Sequence, residues 1–198
     1  NSDYTIISTW EANFQNSSQL RFQMFNRYVK LYDEFDPTRT DDAIPLPADQ
    51  NYYYTSFEVS FRSDQRKKVF YRINPSVGQF FNGNKYSLES SLSLRLQPYF
   101  SGSIQMNYDK IDLPDPYPDA SIWLIGPKID ITFTKNMFWS TFFQYSTQRE
   151  NFSINTRFQW RVAPLSDLFL VYNDNYSTTV FSPRFRSLNL KFTYWLNI

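Results

Sequence analysis

The sequence predicts an all-β fold, an antiparallel up-and-down transmembrane β-barrel. About eleven strands fall within its 198 residues, and they read as the C-terminal portion of a larger, even-stranded barrel. Three observations carry this expectation. Apolar and polar residues alternate with a period of two, every second connection is short and turn-like, and the polar rows hold formal charges well inside the strands.

In chain order the strands fall near residues 4–15, 19–33, 51–62, 66–79, 85–97, 100–112, 121–134, 137–148, 151–162, 167–176 and 185–198. The alternation is plainest in three of them. Between Lys85 and Gln97, Tyr86, Leu88, Leu92, Leu94 and Leu96 interleave with Ser87, Glu89, Ser91, Ser93 and Arg95. Between Asn151 and Val162, Phe152, Ile154, Thr156, Phe158, Trp160 and Val162 interleave with Ser153, Asn155, Arg157, Gln159 and Arg161. From Ser187 to Ile198 the apolar set is Leu188, Leu190, Phe192, Tyr194, Leu196 and Ile198, against Asn189, Lys191 and Thr193. Helical spacing fits none of these. The short connections are Asn16-Ser17-Ser18, Ser63-Asp64-Gln65, Pro98-Tyr99, Lys135-Asn136 and Ala163 to Ser166; the intervening ones include the longer stretches 34–50, 113–120 and 177–184. Neighbours this close in sequence pair antiparallel, because parallel neighbours need long crossovers. Splitting the broken alternation at Asn26 to Phe35 would add a strand and restore even parity.

Composition narrows the chemistry. Twenty Phe, fifteen Tyr and five Trp stand beside only four Gly, and no stretch reaches the ~20 apolar residues of a membrane helix. The absence of Cys and His removes disulfides, thiolate nucleophiles, the usual general base and the commonest metal ligand. A formal net charge of +1 gives no global field for nucleic acid. Asn1 opens no signal peptide, so the leader has been removed or the chain starts partway through a longer protein.

Strand length favours the apolar face outward. Most segments exceed the 5–6 residues common in soluble sheets and suit the ~9–11 tilted residues of a membrane strand. The expected lipid-facing residues are Leu88, Leu92, Leu94, Ile154, Phe158, Trp160, Leu190 and Phe192. The expected lumen-lining residues are Arg21, Glu58, Arg72, Glu89, Arg95, Lys128, Asp130, Arg157, Arg161 and Lys191, with Glu11, Arg27, Arg62 and Asp109 on the same rows. Bases exceed acids in that set, so it reads either as a wall favouring anionic solutes or glycans or as a ladder of cross-strand ion pairs. Aromatics near strand ends, among them Tyr52 to Tyr54, Phe80, Phe81, Trp123, Phe138 and Trp139, suit headgroup depth. Phe192, Tyr194, Leu196 and Ile198 resemble the terminal signal of outer-membrane barrels, although Ile198 departs from the usual Phe. By that orientation the short turns and the C-terminus face the periplasm. Strand parity then leaves the first visible strand starting at the outer surface, so the missing strands lie upstream of Asn1.

Several runs resemble a known family. They are Asn107-Tyr108-Asp109-Lys110-Ile111-Asp112-Leu113-Pro114, Asn155 to Trp160, Pro164-Leu165-Ser166-Asp167-Leu168-Phe169-Leu170-Val171-Tyr172-Asn173 and Arg186-Ser187-Leu188 to Leu196. Phe35-Asp36-Pro37 with Ile44-Pro45-Leu46-Pro47-Ala48, and Gly78-Gln79-Phe80-Phe81-Asn82-Gly83, belong to the same likeness. The family is one of Bacteroidota outer-membrane proteins whose members join an N-terminal domain similar to family-nine carbohydrate-binding modules to a large C-terminal β-barrel. Leu165 stands where the resemblance leads one to expect Gly. The resemblance implies that a periplasmic or surface domain and early strands precede this chain, and it carries over no catalytic or binding residue.

No catalytic site, metal site or cofactor is expected. The acidic groups Asp33, Glu34, Asp36, Asp41 and Asp42, and Asp109, Asp112, Asp115 and Asp119, lack EF-hand spacing and read as solvated loops, the second stiffened by Pro114, Pro116 and Pro118. The functional expectation is a non-enzymatic outer-membrane pore or anchor for a glycan-binding-like domain in a Gram-negative cell. Its expected partners are outer-membrane lipids, with other outer-membrane proteins, lipoproteins or glycans as further candidates, and no nucleic acid. Two other readings stay open: a scaffold subunit of a multi-protein outer-membrane complex, and a soluble aromatic-rich sugar-binding β-protein.

Overall fold

The structure, a computed structural model, describes residues 3–40 and 43–196. Those residues form eleven strands: β1 (Tyr4–Asn13), β2 (Gln19–Lys30), β3 (Asn51–Arg62), β4 (Val69–Phe80), β5 (Gly83–Leu96), β6 (Phe100–Asp112), β7 (Ala120–Thr134), β8 (Met137–Ser146), β9 (Asn151–Ala163), β10 (Ser166–Ser177) and β11 (Pro183–Thr193). They make one antiparallel up-and-down sheet in chain order, β1 through β11. Among the described residues no ladder joins β11 to β1, so the sheet is not closed.

Most strand bounds lie within a few residues of those the alternation predicts. β2 is a single strand that stops at Lys30, so the split at Asn26 to Phe35 does not occur. β11 ends at Thr193, short of the expected run to Ile198. There the backbone N–H of Trp195 donates to Ser166 Oγ at 3.0 Å instead of continuing the ladder. Tyr194 and Leu196 therefore follow the strand, and Asn1, Asp41, Asp42 and Ile198 lie outside the described residues.

Backbone contacts divide the chain into two compact units. The first comprises Asn1–Arg66, Phe70–Ser91 and Met106–Trp123. Here the β2–β3 connection is folded rather than open: an antiparallel bridge between Phe35 and Leu46 zips it, and Leu46 and Thr38 are fully buried. Asp36 stabilises the turn by accepting from the backbone N–H of Thr38 and of Thr40, at 2.8 and 2.9 Å. Phe35, Tyr52, Tyr54 and Phe80 all pack on Phe81, with ring centroids 4.8–5.6 Å apart. Phe81 itself turns the chain from β4 to β5 at φ 52°, so this connection is short although it lies on the side expected to carry long loops. Gly78 faces Ser56 across the β3–β4 ladder, and a Cβ there would come within 2.3 Å of the Ser56 Cα.

The second unit comprises Lys67–Val69, Leu92–Gln105 and Leu124–Ile198. Its ladders hold the register from β7 to β11 with local shifts only near strand ends. The β9–β10 turn is Pro164-Leu165, and exposed Leu165 sits in the left-handed region at φ 58°. This is the position where the sequence resemblance calls for Gly, and a Cβ there costs roughly 1–2 kcal/mol.

Replacing Leu165 by Gly relieves that strain and returns part of it to unfolded-chain entropy, so stability should rise by about 0.5–1 kcal/mol. Gly78→Ala should lower it by about 1–3 kcal/mol through overpacking against Ser56. Urea midpoints of the refolded chain, measured side by side, read both signs.

Candidate functional site

Because cross-strand partners share a face, the ladders from β1 to β4 and from β7 to β11 assign their paired side chains to one side of the sheet. In the second unit one level reads Trp139, Phe158, Leu170 and Leu190 from β8 to β11, and the next reads Met137, Trp160, Leu168 and Phe192. Ile154 lies on the same side, opposite Phe143. These residues are not packed into a core: Trp139, Trp160, Leu170, Leu190 and Phe192 are all exposed, Leu190 at 70%. Leu92 and Leu94 are also exposed, while Leu88 in the first unit is half-buried. Among the described residues the buried apolar side chains are Leu46, Tyr54 and Ile111.

The hydrophilic face of the first unit brings together most of the charges assigned to it. Arg21 pairs with Glu11 at 3.0 Å and stands opposite Ser60. Glu58 lies between Gln23 and Ser76, and Arg72 faces Arg62 directly. A cavity of about 220 Å³ opens on this face, lined in part by Arg27, Glu58, Asn74, Lys85, Glu89 and Asp109. Lys85 pairs with Asp109 at 3.2 Å and lies 5.5 Å from the Phe80 ring centre. In the β3–β4 turn Asp64 accepts from Arg66 Nε and Nη2, each at 3.0 Å, which raises the guanidinium pKa above its ordinary value. Asp112 is held by Lys110, and Asp119 accepts from the backbone N–H of Leu113, so these acids serve pairs and turns.

In the second unit Lys128 pairs with Asp130 at 3.1 Å, and Ser140 Oγ donates to Asp130 at 2.6 Å. Arg161 meets Asp167 at 3.7 Å, and Lys191 stands opposite Phe169. The Arg95 backbone N–H donates to the Lys68 carbonyl at 2.7 Å. Arg157 stands opposite Ser140 and Val171. A cavity of about 290 Å³ is lined by Asp130, Phe138, Ser140, Arg157, Gln159 and Arg161 among others. Ion-pair ladders and cationic side chains thus coexist on one wall, each assigned to particular residues.

Two features escape the alternation. Phe138, Phe142 and Phe169 stand on the hydrophilic rows, opposite Gln159, Asn155 and Gln159 in turn. Conversely Asp174 lies on the apolar side, opposite Ile154 and Arg186, and is only 2% exposed. Its Oδ2 accepts from Tyr172 Oη, from Tyr176 Oη at 2.7 Å and from Arg186 Nε at 3.0 Å, while Oδ1 has no partner. The signal was present in the sequence as an acid in step with Leu168, Leu170 and Tyr172.

Comparison with protein-family models, with curated proteins and with solved structures finds no match.

Removing the Asp174 carboxylate strands three donors on an apolar face. Asp174→Ala should lower the thermal midpoint clearly, and Asp174→Asn, which keeps an acceptor, should lower it less. Thermal unfolding followed by circular dichroism checks the order.

Proposed function

We propose that this chain is a stretch of an integral outer-membrane β-barrel from a Bacteroidota-like Gram-negative bacterium, acting as a pore or as the membrane anchor of a glycan-binding-like domain. One observation carries the reading: apolar rows continuous across strands are exposed on one side, while the charged rows occupy the other. A water-soluble chain of this length buries most such side chains, and contiguous apolar surface in water drives aggregation. Hydrocarbon solvates that surface without cost, and the antiparallel ladders satisfy the backbone between neighbouring strands, while the outer edges of β1 and β11 need the further strands of a closed barrel. Charged pairs on the opposite side of the second unit, such as Lys128–Asp130, then face away from the lipid.

Eleven up-and-down strands are an odd number, so antiparallel closure would take an odd number of further strands. Whether the interior of such a barrel is open or filled by side chains is what separates a pore from an anchor.

Arg at Leu92 or Phe158 should cost on the order of 2–4 kcal/mol for refolding into vesicles, whereas Ser91→Arg should be tolerated. Equal costs on the two rows would remove the membrane reading. Discrete conductance steps in planar bilayers distinguish a pore from an anchor.

A further inference from the structure

The cavity on the hydrophilic face of the second unit has contents that a simple ion-pair ladder does not need. Three adjacent strands build it: Asp130 on β7 faces Ser140 on β8, Ser140 faces Arg157 on β9, and Phe138 faces Gln159. Its acids are already engaged. Asp130 is held by Lys128 and Ser140, and Asp167 beside the cavity accepts from Gln159 Nε2 at 3.1 Å. Arg157, by contrast, has no carboxylate within 4.0 Å among the described residues, and Arg161 reaches Asp167 only at 3.7 Å. Two guanidinium groups therefore flank Gln159 with donor capacity to spare, and an unsubstituted aromatic ring stands across from it.

We propose that this cavity binds an acidic saccharide, a single pyranose carrying a carboxylate or sulfate. The inference deepens the pore reading above and rests on it for the ligand's route. Phe138 supplies a flat apolar surface for the C–H face of the sugar ring. Arg157 takes the anionic substituent with two parallel N–H donors, a geometry that planar guanidinium matches and ammonium does not. Gln159, Ser140 and the remaining acceptor capacity of Asp130 offer mixed donors and acceptors for ring hydroxyls. An inorganic anion would use Arg157 and leave Phe138 idle. An aromatic acid would use both and leave the hydroxyl-binding groups unmatched. The volume of about 290 Å³ accommodates one sugar ring.

The test is a titration of the full chain, refolded in detergent micelles, followed by saturation-transfer NMR. Methyl glucuronide, methyl glucoside and benzoate are the probes, and inorganic sulfate is the competitor. Methyl glucuronide should bind about tenfold more tightly than methyl glucoside, the factor that one charge-assisted contact supplies. Arg157→Gln should erase that preference, and Phe138→Ser should weaken both sugars. Gln159→Ala, an independent variant for use if either of these fails to fold, should reduce glucuronide affinity several-fold. Equal affinity for the two sugars, an unaltered preference in Arg157→Gln, or benzoate or sulfate performing as well as glucuronide would overturn the proposal. Conductance reads the other premise separately: sugar binding in a silent barrel removes the pore and keeps the site, while conductance without selective binding does the reverse.

Discussion

A slip of one residue in any ladder would exchange the two faces of this sheet, and the chemistry of the molecule depends on no such slip occurring. Across β8, β9 and β10 the pairing is continuous from Trp139–Phe158–Leu170 to Ser140–Arg157–Val171. Moving β9 by one position would set Arg157 beside Trp139 and send Phe158 to the charged side. The apolar rows resist this through contact among themselves, and hydrogen-bonded side chains lock the other rows: Glu11 with Arg21 and Gln19, Asp130 with Ser140, and Asn155 with Asn173. Register, hydrophobic patterning and polar pairing agree, which is the consistency expected of a sequence that specifies one arrangement.

The strand count was legible because a period of two survives in nearly every strand, so the amino-acid order alone marks one side from the other. Ends were less so. β5 starts at Gly83 because Phe81 accepts a left-handed conformation that its ring compensates by packing on Phe35, Tyr52 and Tyr54. Nothing local in Phe81 announces that. Nor does the polar composition of 34–50 reveal that Leu46 is drawn fully out of solvent by its bridge to Phe35.

For the candidate site, the charged members were visible as the polar set of an alternating strand, and the ladders place Arg157, Arg161, Lys128 and Asp130 in one unit and around one wall. The aromatic member was not visible. Phe138 and Trp139 are adjacent, both suit a membrane interface by composition, and only the pairing of Phe138 with Gln159 assigns the ring to the charged side. Asp174 is the mirror case, a carboxylate whose side is fixed by its neighbours rather than by its own polarity.

Asp174 also bears on how the molecule could be put together. Its carboxylate comes from β10 and its guanidinium partner from β11. In the setting proposed here, either strand travelling alone into a nonpolar medium would drag a bare charge with it. Joined as a hairpin, the two cancel before they leave water. Under that proposal β10 and β11 form a single cargo, delivered whole or not at all.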